Sequence, residues 1–200
     1  PSHHGFTANE YWEQVGDNWA SVSVAADPKV RIVGREGGTG ESPARFAASS
    51  IGDWVKNASS EAKSIAIGSD AAIVYAGRKP DGVYWFDAEA GGFTTSTYYS
   101  QTRPAWVSQL NARMAALPLE WDLKVPAQFR KLADHPNQCP PMQPLQSFPH
   151  RYDPSSGSAL SWVYSTPMVD EELLRHVGDI VTAEKLGSDS TSDYLAIAVS

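Results

Sequence analysis

Cysteine is nearly missing from this sequence: Cys139 stands alone among 200 residues. That excludes an intrachain disulfide and any multi-cysteine zinc site. Cations are scarce too, with 16 Lys and Arg against 23 Asp and Glu and a formal net charge of −7. A nucleic-acid binder needs a basic face for phosphates, so no nucleic-acid partner is expected. No apolar run approaches the ~18 residues of a membrane span; the longest stretches, such as Tyr194 to Val199, are strand-sized. There is no repeat of fixed period. The G-x-x-x-x-G-K-S/T phosphate loop and the G-x-S-x-G nucleophile elbow are both lacking. Pro1 opens the chain without an initiator Met or a charged-then-apolar leader, which suggests a processed or excised segment.

Hydrophobic residues at 42% and charged residues at 20% are close to globular averages, so the chain should fold. Residues 1–24, with Tyr11, Trp12 and Trp19, read as loop with short strand pieces. Lys29 to Val33 is a candidate strand, followed by the glycine-rich connection from Gly34 to Gly40. Ser42 and Pro43 suit the N-cap and first turn of a helix whose apolar face is Phe46, Ile51, Trp54 and Val55. Lys63 to Gly68, Ala71 to Ala76 and Val83 to Asp87 read as strands, and Phe93 to Tyr99 as β-prone. Pro104 to Leu117 has helical spacing at Trp106, Val107, Leu110 and Met114.

The stretch 117–161 carries eight prolines, which excludes a central strand or a long helix. Trp121, Phe129, Phe148 and Tyr152 predict an ordered, irregular excursion rather than a disordered linker. From Ser165 to Leu186 a single helix is predicted, with Leu173, Leu174, Val177, Ile180 and Val181 as its buried stripe and Gly187 as its stop. Residues 194–199 are apolar on both faces, which predicts a central strand. Strand, glycine loop, helix and strand together are α/β grammar, here with a partial parallel sheet flanked by helices. Functional loops of such sheets lie beyond the carboxyl ends of the strands, so the chain is expected to stop where its chemistry begins.

Local chemistry signals are weak. The glycines at 34–40 are followed by no Lys and read as a plain loop. His3 and His4 are adjacent and would need metal-binding partners from elsewhere. His135, His150 and Cys139 share the Pro-rich stretch, but Pro140 and Pro141 after the cysteine match no activated thiol. Asp70 and Asp81 sit among turn formers, where a turn role competes with that of a base or ligand. Asn57-Ala58-Ser59 fits a glycosylation sequon.

Five segments in order resemble the middle of bacterial zinc alkaline phosphatases of the type I phosphodiesterase/nucleotide pyrophosphatase branch, the phosphate-irrepressible kind. His4-Gly5-Phe6-Thr7-Ala8-Asn9-Glu10-Tyr11-Trp12 resembles the family's H-G-I/V-x-G/A-N-x-W. Ser42-Pro43 through Ile51-Gly52-Asp53 resembles S-P-x-x-L…T-x-G-D. Ile73 to Asp87 resembles I-L-x-A-G…A-Y-W-Y/F-D. Ser96-Thr97-Tyr98-Tyr99, then Pro104 to Val107 and Asn111, resembles S-T-Y-Y…L-P-x-W-V…F-N. Ser165-Thr166-Pro167 through Asp170-Glu171, Glu184 to Gly187 and Asp193 to Ile197 resembles S-T-P…E-x-L-G-x-D…D-F/Y-L-A-I.

The resemblance implies that residues 1–200 are one internal segment of an alkaline phosphatase-like domain, with 117–161 as an excursion within it. It implies a whole protein that hydrolyses phosphate monoesters or diesters through a covalent phospho-Thr or phospho-Ser, with two zinc ions, in the periplasm or secreted. The nucleophile would belong just before Pro1 and further metal ligands beyond Ser200, so this chain by itself is expected to be inactive and to bind no catalytic zinc. A noncatalytic binding module on the same scaffold is the alternative. Asn9 carries over as an amide donor to a phosphoryl oxygen. The family's phosphate-gripping Lys and Arg fall on Gly68 and Asp70, so both cations are missing here, with Arg78 and Lys79 as conceivable stand-ins.

Overall fold

The computed structural model describes residues 10–68, 76–133 and 148–199. Where the sequence suggests loop with strand pieces, the structure has a regular hairpin of β1 (Glu10–Val15) and β2 (Asn18–Ser23). Gly16, at φ +62°, makes the two-residue turn that such a hairpin requires. Trp12 faces Ser21 and Trp19 faces Gln14 across the pair. β3 (Ala26–Asp27) and β4 (Gly40–Glu41) form a short antiparallel ladder at the ends of the glycine-rich connection. The strand expected at Lys29 to Val33 shrinks to one bridge, Ile32 with Ser96.

The helix expected from Ser42 is a single 3-10 turn at Pro43–Arg45, with the Ser42 hydroxyl accepting from Ala44 N–H at 3.2 Å. The helix α1 (Ile51–Ala58) begins only after a second start signal, where Ser50 N–H donates to Asp53 Oδ2 at 3.0 Å. Next come β5 (Ser64–Gly68), β6 (Gly82–Asp87), β7 (Gly92–Thr94) and α2 (Ala105–Ala115). The Pro-rich stretch holds a two-residue ladder of β8 (Glu120–Trp121) and β9 (His150–Arg151), with α3 (Ala127–Ala133) between them in sequence. Trp121 stacks on His150 at 5.4 Å and meets the edge of Phe148 at 5.2 Å. The strand expected at Ala71 to Ala76 lies almost wholly outside the described residues, as do His135 and Cys139.

α4 (Ala159–Tyr164) precedes the span 165–186, where the single helix expected is two helices, α5 (Met168–Arg175) and α6 (Val177–Ala183). α4 is separated from α5 at Thr166, whose hydroxyl turns back to Val163 O at 2.7 Å, ahead of Pro167. The break within the expected helix is at His176, fully buried, with its Nε2 3.2 Å from Trp106 O. The break changes which residues face inward. Leu173 and Ile180 are buried, whereas Leu174 and Val181, expected in the same stripe, are 54% and 36% exposed.

The last strand is β10 (Tyr194–Ala198), and the sheet order is β10-β5-β6-β7. β10, β5 and β6 are parallel. β7 returns antiparallel through a tight turn in which Ala90 N–H donates to Asp87 Oδ1 at 2.8 Å, so the sheet is mixed rather than purely parallel. The expectation that 194–199 is central is corrected: among the described residues β10 is an outer strand. Its two apolar faces are still explained, because Leu195 and Ile197 pack on one core and Tyr194 and Ala196 on the other.

The central strand is β5, buried at all five residues. On one face Ile65 and Ile67 meet Trp106, Val107 and Leu110 of α2 and Val169, Leu173 and Ile180 of α5 and α6. The other face is built from Ala66, Ala76, Val83, Trp85 and Ala196. Its small residues let α1 come close: a Cβ on Gly52 would lie 2.1 Å from Ala76 O and 2.4 Å from Ser64 Oγ. No helix among the described residues is long and apolar enough to cross a membrane. Gly52→Ala should therefore cost about 1–3 kcal/mol by overpacking. Gly178→Ala, in α6 with open space around it, should gain about 0.5–1 kcal/mol. Urea unfolding midpoints of the two variants should move in opposite directions.

Candidate functional site at the carboxyl ends of the parallel strands

Parallel α/β sheets bind ligands beyond the carboxyl ends of their strands, so the ends of β5 and β10 are the place to look. Gly68 and Ala198 finish these strands as register partners. A shallow cleft there is walled by Phe93, Tyr164, Val169 and Leu173, with Asp170 of the first turn of α5 at its rim. Tyr164 is held by stacking on Phe86 at 4.0 Å. Deeper in the fold, burial pushes the Tyr84 phenol far up, with Glu184 adding to the shift. Burial does the same to Tyr99. Neither phenol can serve as a base near neutral pH.

Gly68 marks the closest contact of the site. Its φ of +151° is one that L side chains rarely adopt, and a Cβ there would lie 2.1 Å from Ala198 O. The resemblance leads to the expectation of a phosphate-gripping Lys in relatives at this position; in this backbone a Cβ has no room there. Arg78 N–H donates to Asp53 Oδ1 at 2.8 Å, and Asp81 N–H to Ser64 O at 2.8 Å. These bonds tie the backbone at positions 78 and 81 to α1 and to Ser64 at the amino end of β5, about 13 Å from Gly68 at ~3.3 Å per strand residue. Asp70, Asn9, His3 and His4 lie outside the described residues; Asn9 immediately precedes β1.

The remaining candidates are structural. Asp81 accepts from Ser64 N–H at 2.8 Å and from Lys56 at 2.9 Å, so it tethers the start of β5 and α1 to the segment before β6. Arg35 pins the glycine-rich connection to Asp87 at 3.0 Å and also pairs with Glu89, which leaves that segment a loop and not a phosphate cradle. His150 belongs to the aromatic stack of the Pro-rich stretch. Among the described residues no three His, Cys, Asp or Glu side chains converge to hold a metal ion.

Motif residues without an assigned role prove to be fasteners. Asn111 accepts from Phe93 N–H at 2.7 Å and donates to Phe93 O at 2.8 Å, completing β7 as a neighbouring strand would. Asp193 accepts from Lys63 N–H at 2.7 Å and Gly187 N–H at 2.8 Å, joining β5, β10 and the end of the helical layer. Those two backbone donors, Gly187 first, hold its carboxyl below the usual carboxylate range. In the sequence Asp193 stands before an apolar strand and opens the family-like segment Asp193 to Ile197, neither of which names its partners. His176 offered none, since its partner Trp106 is 70 residues away.

No family model matches the chain. It is 27% identical over 203 residues to alkaline phosphatase PhoV of Synechococcus elongatus, an alignment taking in 93% of this chain and 37% of that protein. Alkaline phosphatase PafA of Elizabethkingia meningoseptica is 24% identical over 214 residues, covering 98% of this chain and 38% of that protein. A calcium-transporting ATPase of Myroides odoratus is 34% identical over 116 residues, 56% of this chain and 21% of that one. The fold superposes on crystal structures of wild-type PafA and of a fourfold-substituted PafA variant, with TM-scores of 0.76 and 0.78 at 22% identity. Each superposition covers 98% of this chain and 40% of the other. The chain thus spans about two fifths of the length of these alkaline phosphatases.

Two outcomes follow from the geometry. Gly68→Lys should weaken the β5–β10 pairing and cost about 2 kcal/mol or more, read as a lower urea midpoint, because the strands must part to admit a Cβ. For Asp193, the depressed folded pKa means its stabilisation is present above the unfolded value near 4 and is lost as pH falls through the folded one. Asp193→Asn should therefore lower stability at pH 6 yet flatten its loss on acidification, measured as urea midpoints from pH 6 down to pH 2.

Proposed function

We propose that the chain belongs with the alkaline phosphatases PafA and PhoV that it resembles, and that it is the scaffold of a phosphate-ester hydrolase site in the whole protein. The observation that carries the reading is the likeness of backbone to PafA across 98% of the chain. The open carboxyl ends of β5 and β10 support it, since such ends are where α/β sheets hold ligands.

In this reading the chain supplies Asn9, whose side-chain amide donates to a phosphoryl oxygen as negative charge builds on it. The nucleophilic Thr or Ser, and the ligands of two zinc ions, come from elsewhere in the whole protein. The described residues offer no donor set that fits a metal, so no step through zinc is derived from this chain. Residues 1–200 act as one internal segment of the domain, with 117–161 as an ordered excursion. In this reading the whole protein works in the periplasm or is secreted.

Charge sets the substrate class in this reading. Position 68 presents no side chain, and position 70 is an aspartate where a cation would grip phosphate. Coulomb energy scales with the product of the charges, so losing cations disfavours a monoester dianion more than a diester monoanion. We expect discrimination between the two classes to be weaker than in relatives that keep both cations. The same two positions favour the second reading, a noncatalytic module on this scaffold, which turnover by the whole protein decides.

With the whole protein, Asn9→Ala should lower kcat/KM for an aryl phosphate by about 10²–10³-fold, the usual cost of one such donor, with the unfolding midpoint unchanged. Asp70→Arg should raise the ratio of kcat/KM for an aryl phosphate to that for a matched aryl diester. No turnover of either ester by the zinc-loaded whole protein would favour the noncatalytic module, and an unchanged ratio in folded Asp70→Arg would remove the charge argument.

A further inference from the structure

His176 sits in the break between α5 and α6 with no exposed surface. Its Nε2 lies 3.2 Å from Trp106 O. A carbonyl oxygen only accepts, so Nε2 carries a proton. In the neutral ring Nδ1 is then a bare lone pair. Asp179 Oδ2 is 3.0 Å from that nitrogen, so an acceptor faces an acceptor. The two are not aligned as a hydrogen bond, and Nδ1 is buried with no hydrogen-bond partner among the described residues. Buried polar atoms are rarely left so, and each exception needs a physical reason.

The same carboxylate oxygen is contested. Arg113 of α2 brings Nη2 to 3.6 Å from Asp179 Oδ2 and Nη1 to 3.6 Å from Glu172 Oε1. Glu172 is itself buried and also takes Arg175 at 3.1 Å. On the far side of Trp106 its Nε1–H donates to Glu184 Oε1 at 2.6 Å, and Lys63 donates to Glu184 O. The charged groups around the ring are therefore Asp179 from α6, Glu172 and Arg175 from α5, Arg113 from α2, and Glu184 with Lys63 behind Trp106. Tyr84, edge-on to Trp106 at 4.8 Å, stays a neutral phenol because burial pushes it far up. A guanidinium keeps its charge throughout, whereas imidazole is the side chain that ordinarily changes charge between about pH 5 and 8.

We propose that this junction is a proton-operated latch, in which Asp179 moves from Arg113 onto His176 when Nδ1 takes up a proton from solvent. Without that proton the lone pair repels the carboxylate, and Arg113 is its better partner. With it, Nδ1–H donates to Asp179 while Nε2–H stays on Trp106 O, and one ring ties the α5–α6 break to α2 and α6 together. Arg113 then keeps Glu172. The Asp179 side chain is 54% exposed and can change partner without disturbing the core. Helix α5 ends at the latch and begins at the cleft, where Val169 and Asp170 stand, so the proton is sensed at the far end of a helix that borders the candidate site. The inference does not depend on catalysis, and a whole protein without phosphatase turnover would still show it.

Nitrogen-15 NMR of the whole protein with labelled histidine and arginine tests it, the His176 ring signals being assigned by their loss in His176→Asn. As pH falls from 8 to 4, Nδ1 should pass from bare to protonated while Nε2 stays protonated throughout. The Arg113 Nε signal should shift with the same midpoint. Asp179→Asn should lower that midpoint by about one pH unit or more, because it removes the opposite charge beside the ring. Arg113→Gln should raise it, because it removes both a like charge and the competitor for Asp179. The two replaced side chains are each more than half exposed, so the fold should survive both. A midpoint unmoved by Asp179→Asn, or moved the same way by both variants, would overturn the latch. So would an Nδ1 that stays bare down to the pH of unfolding, or an Arg113 signal indifferent to the titration.

Discussion

Strand β5 is paired on both edges and buried at all five residues, and the four-stranded sheet and the helices packed on it are arranged around it. Ile65 and Ile67 point into a layer of aromatic and branched side chains from α2, α5 and α6. Ala66 points the other way, into a cluster with Ala76, Val83, Trp85 and Ala196, and α1 approaches to backbone contact where Gly52 meets Ala76 O. The two faces use opposite means. Volume fills one, and the absence of volume lets the other close.

The two ends of the parallel strands are treated differently. At the amino ends, Asp53, Asp81 and Asp193 accept backbone N–H groups of Arg78, Ser64 and Lys63. Each carboxylate joins two elements, and each satisfies a donor that would otherwise be stranded at the sheet edge. At the carboxyl ends no such lattice of fasteners forms among the described residues. Gly68 lies against Ala198 O, and the surrounding walls are largely apolar. The amino end is tied by carboxylates to backbone donors, and the carboxyl end is bordered by the shallow apolar cleft.

The same division explains why so many family-like motif residues are remote from chemistry. Gly52 is small because Ala76 O occupies the space, Asn111 completes β7, and Asp193 ties three elements together. A protein can be legible as a relative of phosphatases from residues that never touch phosphate, because a fold's tight contacts restrict residue choice as strictly as a reaction does.

Residues 63–68, 83–87, 104–117 and 194–198 declared their elements in the sequence, since apolar period and turn residues are local properties that a linear reading can follow. The order of family-like segments also pointed to the alkaline phosphatases before any coordinate was known. What the linear reading could not supply depends on partners far along the chain. β10 looks central because both its faces are apolar, but lateral position in a sheet is set by which backbone edge finds a neighbour, and side-chain pattern does not encode that. The break at His176 follows from a contact with Trp106, 70 residues away. Gly68 reads as a lost lysine in an alignment. Only the approach of Ala198, 130 positions later, reveals it as the one residue type that the junction of two strands admits, because a Cβ and a carbonyl oxygen cannot share the same space.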